Sequence, residues 1–314
     1  MSKETMIRTI SGKRTFKQSL KLAFKQRYLY LLLLPTLVSV FVFSYCCMPG
    51  VLMAFQDYSI YKGLWGSEWV GFDNIAAIFR QSKFTGAIWN TFYTSVMCII
   101  TGFPAPIILA LMLHELRNKA FKRVVQTISY LPHFLSWISV VGLVYMIFST
   151  EGIINNVMSW FGAKEPFRFL ASQTVFQWFV ILIPLWKGLG WSTIIHLANL
   201  TSINPELYEA AEVDGANYMQ KLRHITIPHM LPTCMILLIF QMGSLFSSNF
   251  ELVYGLKNPY INFDVISTVV YETGIQAGNY HMSTAIGFVQ GLVALLLVLG
   301  TNWLSKKVSG TGIW

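Results

Sequence analysis

Six long apolar stretches constrain the fold of this chain more than any other feature. Each can supply the roughly 20 apolar residues that an α-helix needs to cross a bilayer core about 30 Å thick. Hydrophobic residues make up 54% of the sequence and charged residues 12%, a balance unlike that of soluble domains. We therefore predict an all-α fold, a polytopic membrane bundle of six transmembrane helices. Apart from Lys187, no charged residue interrupts the stretches 28–56, 84–113, 124–150, 169–204, 230–250 and 273–305.

Lysine and arginine residues are divided unequally between the two sides of such a bundle. Sixteen lie in the termini, the second loop and the loop between the fourth and fifth spans, and six lie in the remaining loops. The positive-inside rule therefore predicts that both termini are cytoplasmic. We expect a basic cytoplasmic tail over residues 1–27, one transmembrane domain over 28–305 and a cytoplasmic tail over 306–314. Glycine and proline residues predict irregular outer connections over 151–172 and 251–272.

The formal net charge of +9 does not predict a nucleic-acid partner. Eight basic residues directly precede the first span, where membrane orientation and anionic lipid headgroups account for them. Whether this tail binds lipid or only orients insertion stays open at this stage. The first apolar stretch is longer than the hydrophobic region of a signal peptide, so we expect it to be retained as a span.

The polar segment between the fourth and fifth spans predicts a helix–turn–helix. It reads NPELYEAAEVDGANYMQKLRHITIP over residues 204–228. Asn204 can cap a helix that begins at Pro205, and Glu206 suits the positive end of its dipole. Gly215 stands where a left-handed residue ends a helix. Helical spacing gives this helix a narrow face that another protein could approach closely, made by Leu207, Ala210, Ala211 and Asp214.

Two short motifs in this segment resemble a known family. EAA at residues 209–211 and DGA at 214–216, followed by Ile225 and Pro228, are similar to the EAA loop of permease subunits of ABC importers. The family usually has phenylalanine at Leu222 and leucine just before the proline, and both differences keep an apolar residue. In that family the loop is a cytoplasmic coupling helix seated in a groove of the ATPase subunit. The resemblance implies contact with an ATPase by Glu209, Ala210, Ala211, Asp214, Gly215, Ala216, Leu222, Ile225 and Pro228.

The resemblance extends over most of the chain through weaker motifs. YLPHF at residues 130–134, WKGLGW at 186–191 and GIW at 312–314 resemble the carbohydrate-uptake permeases of the maltose type, most closely the LplB-like group. It implies a prokaryotic plasma-membrane permease for an oligosaccharide. It also implies a second, homologous permease as heterodimer partner, two ATPase subunits and an extracellular solute-binding protein. ATP and Mg²⁺ would be used by the ATPase, and this chain would bind no cofactor.

The fourth span carries the signals that predict a substrate pathway. Pro184, Gly188 and Gly190 all weaken a helix, so we expect unwinding here, as at the binding regions of transporters, or an ordinary proline kink. Lys187 lies in the same turns, and a lysine at membrane depth needs a partner. It could contact the solute or form a gate ion pair with Glu251. It could equally snorkel to an interface or hold helices together.

Aromatic and amide side chains complete the predicted pathway. Tryptophan rings can stack on sugar rings, while amides and hydroxyls bind sugar hydroxyl groups. The same residue types also pack ordinary helix interfaces, so this interpretation stays open. The pathway candidates are Trp137, Trp186, Lys187, Trp191, Gln241, Asn249 and Glu251, with Ser247 as a further hydrogen-bonding side chain.

The sequence offers no pattern typical of an enzyme. Its six histidines have no HExxH or CxxC companion, so we expect no metal site. No phosphate-binding loop is present, so the energy source should be a separate subunit. An importer of amino acids, polyamines or another polar solute is the alternative, because the EAA loop is shared more widely. An ion-coupled carrier would need buried acidic residues in its spans, which the apolar stretches lack.

Overall fold

The computed structural model describes residues 26–245, 249–310 and 312, without the side chains of residues 308 and 309. Most of the predicted basic tail and the candidate Ser247 lie outside these residues. The chain divides into two units, residues 1–52 and 53–314. In the first unit, helix α1 (Arg27–Val40) is apolar on all sides and none of its residues is buried, as expected of a membrane helix.

Six helical segments in the described part of the chain are long and apolar enough to cross a membrane, which confirms the predicted number. Some of these segments contain more than one helix. They are Arg27–Phe55, Ser82–Glu115, Trp137–Trp160, Gln173–Thr201, Tyr218–Gly243 and Tyr280–Lys307.

The second unit is almost entirely helical. A two-residue antiparallel pair, β1 (Gln56–Asp57) with β2 (Glu68–Trp69), is its described sheet. Along the whole described chain, short 3₁₀ segments cover Met48–Phe55, Leu131–Phe134 and Phe169–Ala171, and π-helical turns cover Phe41–Tyr45, Leu222–Thr226 and Glu272–Gln276. The α-helices are α2 (Gly63–Gly66), α3 (Asp73–Arg80), α4 (Ser82–Gly102), α5 (Pro104–Glu115), α6 (Lys119–Tyr130), α7 (Trp137–Phe148), α8 (Ile153–Trp160), α9 (Gln173–Thr201), α10 (Pro205–Val213), α11 (Tyr218–Lys221), α12 (Ile227–Gly243), α13 (Phe250–Leu256), α14 (Ile266–Tyr271) and α15 (Tyr280–Ser309).

A helix break lies in the third apolar stretch, and none lies in the fourth. α9 is a continuous helix through Pro184, so the predicted unwinding of the fourth span is wrong. The third stretch instead divides into α6, a 3₁₀ turn containing Pro132, and α7. Proline removes a backbone donor and so favours this interruption. Ser136 Oγ then accepts a hydrogen bond from Ser139 N at 3.1 Å and caps α7.

The connections predicted as irregular contain helices. α8 lies within 151–172, α14 lies within 251–272, and α13 covers the start of that second connection from Phe250. Leu252, Val253 and Leu256 of α13 are fully buried, because they pack with the first half of α9 in an apolar core. Tertiary packing therefore stabilises helices that are too short to be stable alone.

The backbones of α6 and α9 lie so close together at Gly190 that no side chain fits between them. A Cβ atom added at Gly190 would overlap the backbone oxygen of Ser129 and lie 2.8 Å from the backbone nitrogen of Tyr130. Only glycine permits this backbone contact, which lies deep within the fourth span. The contact fixes where the broken third stretch meets α9.

A group of four charged side chains lies at the end of the bundle opposite residues 204–228. Lys257 Nζ is 2.5 Å from both Asp264 Oδ1 and Glu272 Oε1, and Lys83 Nζ is 2.9 Å from Glu272 Oε2. Partial burial by itself raises the pKa of Glu272, but hydrogen bonds from Lys257 and Lys83 outweigh burial and hold that pKa below its ordinary value. Partial burial by itself lowers the pKa of Lys257, but its hydrogen bonds with Asp264 and Glu272 outweigh burial and hold that pKa above its ordinary value.

We predict that Gly190→Ala destabilises the protein by about 1–3 kcal/mol, because the new methyl group forces α6 and α9 apart. The matched control is Gly188→Ala, two residues away in the same helix, where an added Cβ meets nothing within 4 Å. The control should be neutral or stabilising by up to about 1 kcal/mol. Thermal unfolding of the purified protein in detergent measures both, and equal melting temperatures would contradict the close contact.

A second prediction concerns pH. The pKa of Glu272 is lower in the folded than in the unfolded chain, so its stabilisation is present at neutral pH and is lost as the pH falls below about 4.5. Glu272→Gln removes ion-pair interactions that contribute about 1 kcal/mol to the free energy of unfolding, so it should lower the melting temperature at pH 7 by about 2–4 °C. The variant should also lose less stability than the wild type between pH 7 and pH 4. The exposed Glu68→Gln serves as control, and a variant with the wild-type acid dependence would refute the assignment.

Candidate coupling loop and substrate cavity

The EAA loop, residues 204–228, folds as the sequence predicts. Asn204 Oδ1 accepts a hydrogen bond from Glu206 N at 3.2 Å and caps α10, whose first residue is Pro205. Gly215 has a φ of +78°, the left-handed conformation expected at the end of this helix. Both ends of the EAA helix are therefore fixed by local sequence.

The second half of the EAA loop returns the chain to the membrane. Asn217 and Gln220 form a capping box that begins α11. Lys221 Nζ lies 2.6 Å from Glu212 Oε1 and joins the two halves of the loop. The hydrogen bond from Lys221 lowers the pKa of Glu212. Leu222 begins a π-helical turn that leads into α12.

The outer face of α10 is available to a partner. Leu207 is 52% exposed and Val213 is 88% exposed, and Ala210 and Asp214 between and beside them are also exposed. Ala211 is half-buried, so the predicted four-residue face is narrower than expected. Of the remaining predicted coupling residues, Glu209, Gly215 and Pro228 are exposed, Ala216 and Leu222 are half-buried, and Ile225 packs into the core beneath the loop.

Two of the sequence motifs, YLPHF at 130–134 and WKGLGW at 186–191, contact each other in the structure. Lys187 Nζ donates a hydrogen bond of 2.7 Å to the backbone oxygen of His133. The rings of Trp191 and His133 are stacked, with centroids 4.5 Å apart and planes 2° from parallel. Lys187, Gly190 and Trp191 share one surface of α9. Their contacts therefore hold the break in the third stretch against that helix.

Lys187 occupies a defined position behind the ring of Trp137. Its ammonium group lies 4.9 Å from the centroid of that ring, and only 8% of the residue is exposed. No carboxylate among the described residues lies within ion-pair distance of it, so the suggested pair with Glu251 is not formed. The lysine thus satisfies a carbonyl that the helix break leaves free, and polarises one face of a tryptophan.

A cavity of about 420 Å³ lies beside the helix break. Four of the predicted pathway residues line it, namely Trp137, Gln241, Asn249 and Glu251. Trp186 and Trp191 do not, and Lys187 lies behind Trp137. The other lining residues are Thr94, Ser95, Cys98, Ile99, Val180, Pro184, Ser244 and Leu245. The wall combines one flat aromatic surface with hydroxyl, amide and carboxylate groups.

The contribution of α4 to this cavity was not predicted from the sequence. Thr94, Ser95 and Cys98 are polar or weakly polar residues of α4, spaced so that they share one side of the helix. Polar residues within a span usually face the bundle interior and not the lipid. Applied to α4, that rule selects Thr94 and Ser95 together with other polar residues such as Asn90 and Thr91, so it does not by itself place them at the cavity.

A model of one protein family matches residues 102–309, the binding-protein-dependent transport system inner membrane components. The chain belongs to this family. The matched region contains both the EAA loop and four of the six spans. This protein is therefore the permease component of an ABC importer, a multi-pass protein of the prokaryotic cell membrane, and not an ion-coupled carrier.

Individual relatives match this chain over nearly their whole length. The chain is 40% identical to Protein LplB of Bacillus subtilis (strain 168), covering 92% of each protein. It is 39% identical to the polygalacturonan/rhamnogalacturonan transport system permease protein YteP of the same organism, covering 92% of this chain and 91% of the relative. Among solved structures, a chain of a bacterial ABC transporter that imports the acidic polysaccharide alginate matches with a TM-score of 0.83 and 38% identity, covering 92% of this permease and 99% of that chain.

Proposed function

We propose that this permease carries an oligosaccharide through the cavity beside Trp137, driven by ATP hydrolysis in a separate subunit that binds the EAA loop. The observation that carries the coupling half of this proposal is the exposed apolar face of α10. Leu207 and Val213 are exposed on α10, which is capped by Asn204 and ended by Gly215. An exposed apolar patch in such a position is typical of a protein-binding surface.

The energy comes from outside this chain. The sequence has no phosphate-binding loop, so ATP and Mg²⁺ would be bound by the ATPase, and this chain would act without a cofactor and without catalytic residues of its own. Closure of two ATPase subunits would move the EAA loop and, through it, α9 and α12. The cavity would then change the side of the membrane that it faces.

The orientation of the bundle follows from its charges. The EAA loop, the preceding basic loop and both termini carry most of the lysine and arginine residues. The positive-inside rule therefore favours a cytoplasmic EAA loop, on the side where ATP is available. The charged group around Glu272 would then lie at the outer end.

The chemistry of the cavity supports a sugar as solute. The Trp137 ring offers a flat surface for a pyranose or furanose ring, and Gln241, Asn249 and Glu251 offer partners for hydroxyl groups. Relatives named for polygalacturonan/rhamnogalacturonan and arabinooligosaccharide transport, and the alginate importer, point to the same class of solute.

The proposed assembly contains further subunits. A similar structure shows the alginate importer in complex with a periplasmic protein that carries an alginate pentasaccharide. By analogy, an extracellular solute-binding protein would deliver the sugar to this permease. A second, homologous permease would supply the other half of the pathway in a heterodimer, and membrane lipid would cover the remaining apolar surface.

Binding of the ATPase can be tested at Leu207. Leu207→Glu places a charge in the proposed interface and should weaken ATPase binding about thirtyfold, equivalent to about 2 kcal/mol. Leu207→Met, which keeps the apolar contact, should bind normally. Ile60→Glu, at an exposed position outside the loop, controls for a general effect of added charge. Co-purification of the ATPase with each tagged variant is the measurement, and full recovery with Leu207→Glu would contradict the proposal.

Trp137 tests the substrate half of the proposal. Trp137→Ala removes the aromatic wall and should reduce uptake of the sugar about tenfold. This factor corresponds to the loss of one ring-stacking interaction of about 1.5 kcal/mol. Trp186→Ala removes the same side chain from a half-exposed position outside the cavity and should transport normally. Uptake of labelled arabinotriose and trigalacturonate into cells with equal permease content compares them. Equal uptake by both variants would remove Trp137 from the pathway.

A further inference from the structure

The two halves of the EAA loop continue directly into α9 and α12, and these helices pack against each other. Leu197 and Leu200 at the end of α9 meet Met230 and Cys234 of α12 in an apolar cluster below the loop. Contacts of this kind are non-directional, and lipid chains are as apolar as leucine. The cluster alone therefore does not fix how one helix is placed along the other.

Polar side chains cross the same interface. Asn199 Nδ2 donates a hydrogen bond of 2.7 Å to Thr233 Oγ1, and one turn nearer the loop Ser202 Oγ lies 3.2 Å from His229 Nε2. Asn199 comes from α9 and Thr233 from α12, so their bond joins the last turns of one span to the first turns of the next. Hydrogen bonds are directional and set the register that the apolar contacts leave free.

A further bond joins the two halves of the loop itself. The hydroxyl groups of Tyr208 in the EAA helix and Thr226 in the π-helical turn lie 2.9 Å apart. Thr226 is 5% exposed and Tyr208 is half-buried, so water competes little for this contact. The EAA helix is thus attached to the start of α12 through space as well as through the chain.

We propose that the Asn199–Thr233 and Tyr208–Thr226 hydrogen bonds make the EAA loop, the end of α9 and the start of α12 a single rigid unit, and that these four are positioning residues for coupling. This inference rests on the proposed binding of an ATPase at the EAA loop. A loop that moved freely would follow the ATPase without moving the spans. A rigid unit forces the spans to move with it, and the spans in turn restrain ATPase closure until the cavity can rearrange.

The measurable consequence is the rate of ATP hydrolysis without solute. When the Asn199–Thr233 bond is lost, the spans restrain the ATPase less, and hydrolysis by the assembled complex in the absence of any solute should rise about threefold or more. Loss of folding or assembly would lower that rate. The sign of the change therefore separates a positioning role from a merely structural one.

Asn199→Leu and Thr233→Val remove the bond while keeping the number and branching of the side-chain heavy atoms. Asn199 Oδ1 is buried and has no hydrogen-bond partner among the described residues, so its replacement by a carbon atom of leucine breaks no further hydrogen bond. Thr233→Ser keeps the hydroxyl group and should behave as the wild type. The matched control is Thr201→Val, because Thr201 Oγ1 bonds only the Ala198 carbonyl of its own helix among the described residues.

The double variant completes the test. If both residues act through one bond, Asn199→Leu with Thr233→Val should raise the solute-free rate no more than either single change. Rates in Asn199→Leu and Thr233→Val that equal or fall below the wild type would overturn the inference, even with the ATPase fully bound. Absence of ATPase from the purified wild-type complex would instead overturn the proposed function.

Discussion

The backbone contact between α6 and α9 at Gly190 is the constraint on which the rest of the structure depends. It lets the carbonyl of Ser129 reach the surface of α9, where a side chain would exclude it. Lys187 and Trp191, on the same surface of α9, then bind the next turn of the chain through His133. The interrupted third stretch is thereby held against α9, where Lys187 satisfies the backbone oxygen of His133.

The cavity follows from that arrangement. Because α7 begins only after the break, with Ser136 as its cap, its first residue Trp137 is directed to the cavity wall while Lys187 supports it from behind. The lysine that looks anomalous in an apolar span is therefore explained by two neighbours in space. Neither neighbour is close to it along the chain.

α9 connects this cavity with the EAA loop. It is one continuous helix of 29 residues, about 43 Å long at 1.5 Å per residue. Pro184 near its middle lines the cavity, and its last turn leads through Asn204 into α10. Movement of the loop and rearrangement of the cavity wall are therefore linked by a single structural element, and α12 is joined to it by the Asn199–Thr233 hydrogen bond.

The EAA loop was predictable because its determinants are local. Asn204 caps, Pro205 begins the helix and Gly215 ends it, each acting within a few residues of its own position. The substrate wall was only partly predictable. Proline and glycine residues predicted a break in the fourth span, but the break lies in the third stretch. The position of α6 against Gly190 depends on residues about 60 positions apart, which no local pattern reveals. Trp186 and Trp191 could not be distinguished from Trp137 before their surroundings were known.

The sequence by itself determined that this chain crosses the membrane six times, which side carries its positive charge and where its partner-binding loop begins and ends. Those properties are sums over contiguous residues or effects of one helical turn. Only the tertiary structure decided that Lys187 supports a tryptophan and does not pair with Glu251, and that α4 supplies Thr94 and Ser95 to the cavity. Such contacts depend on how separate helices are rotated and placed against one another, and no single segment encodes that.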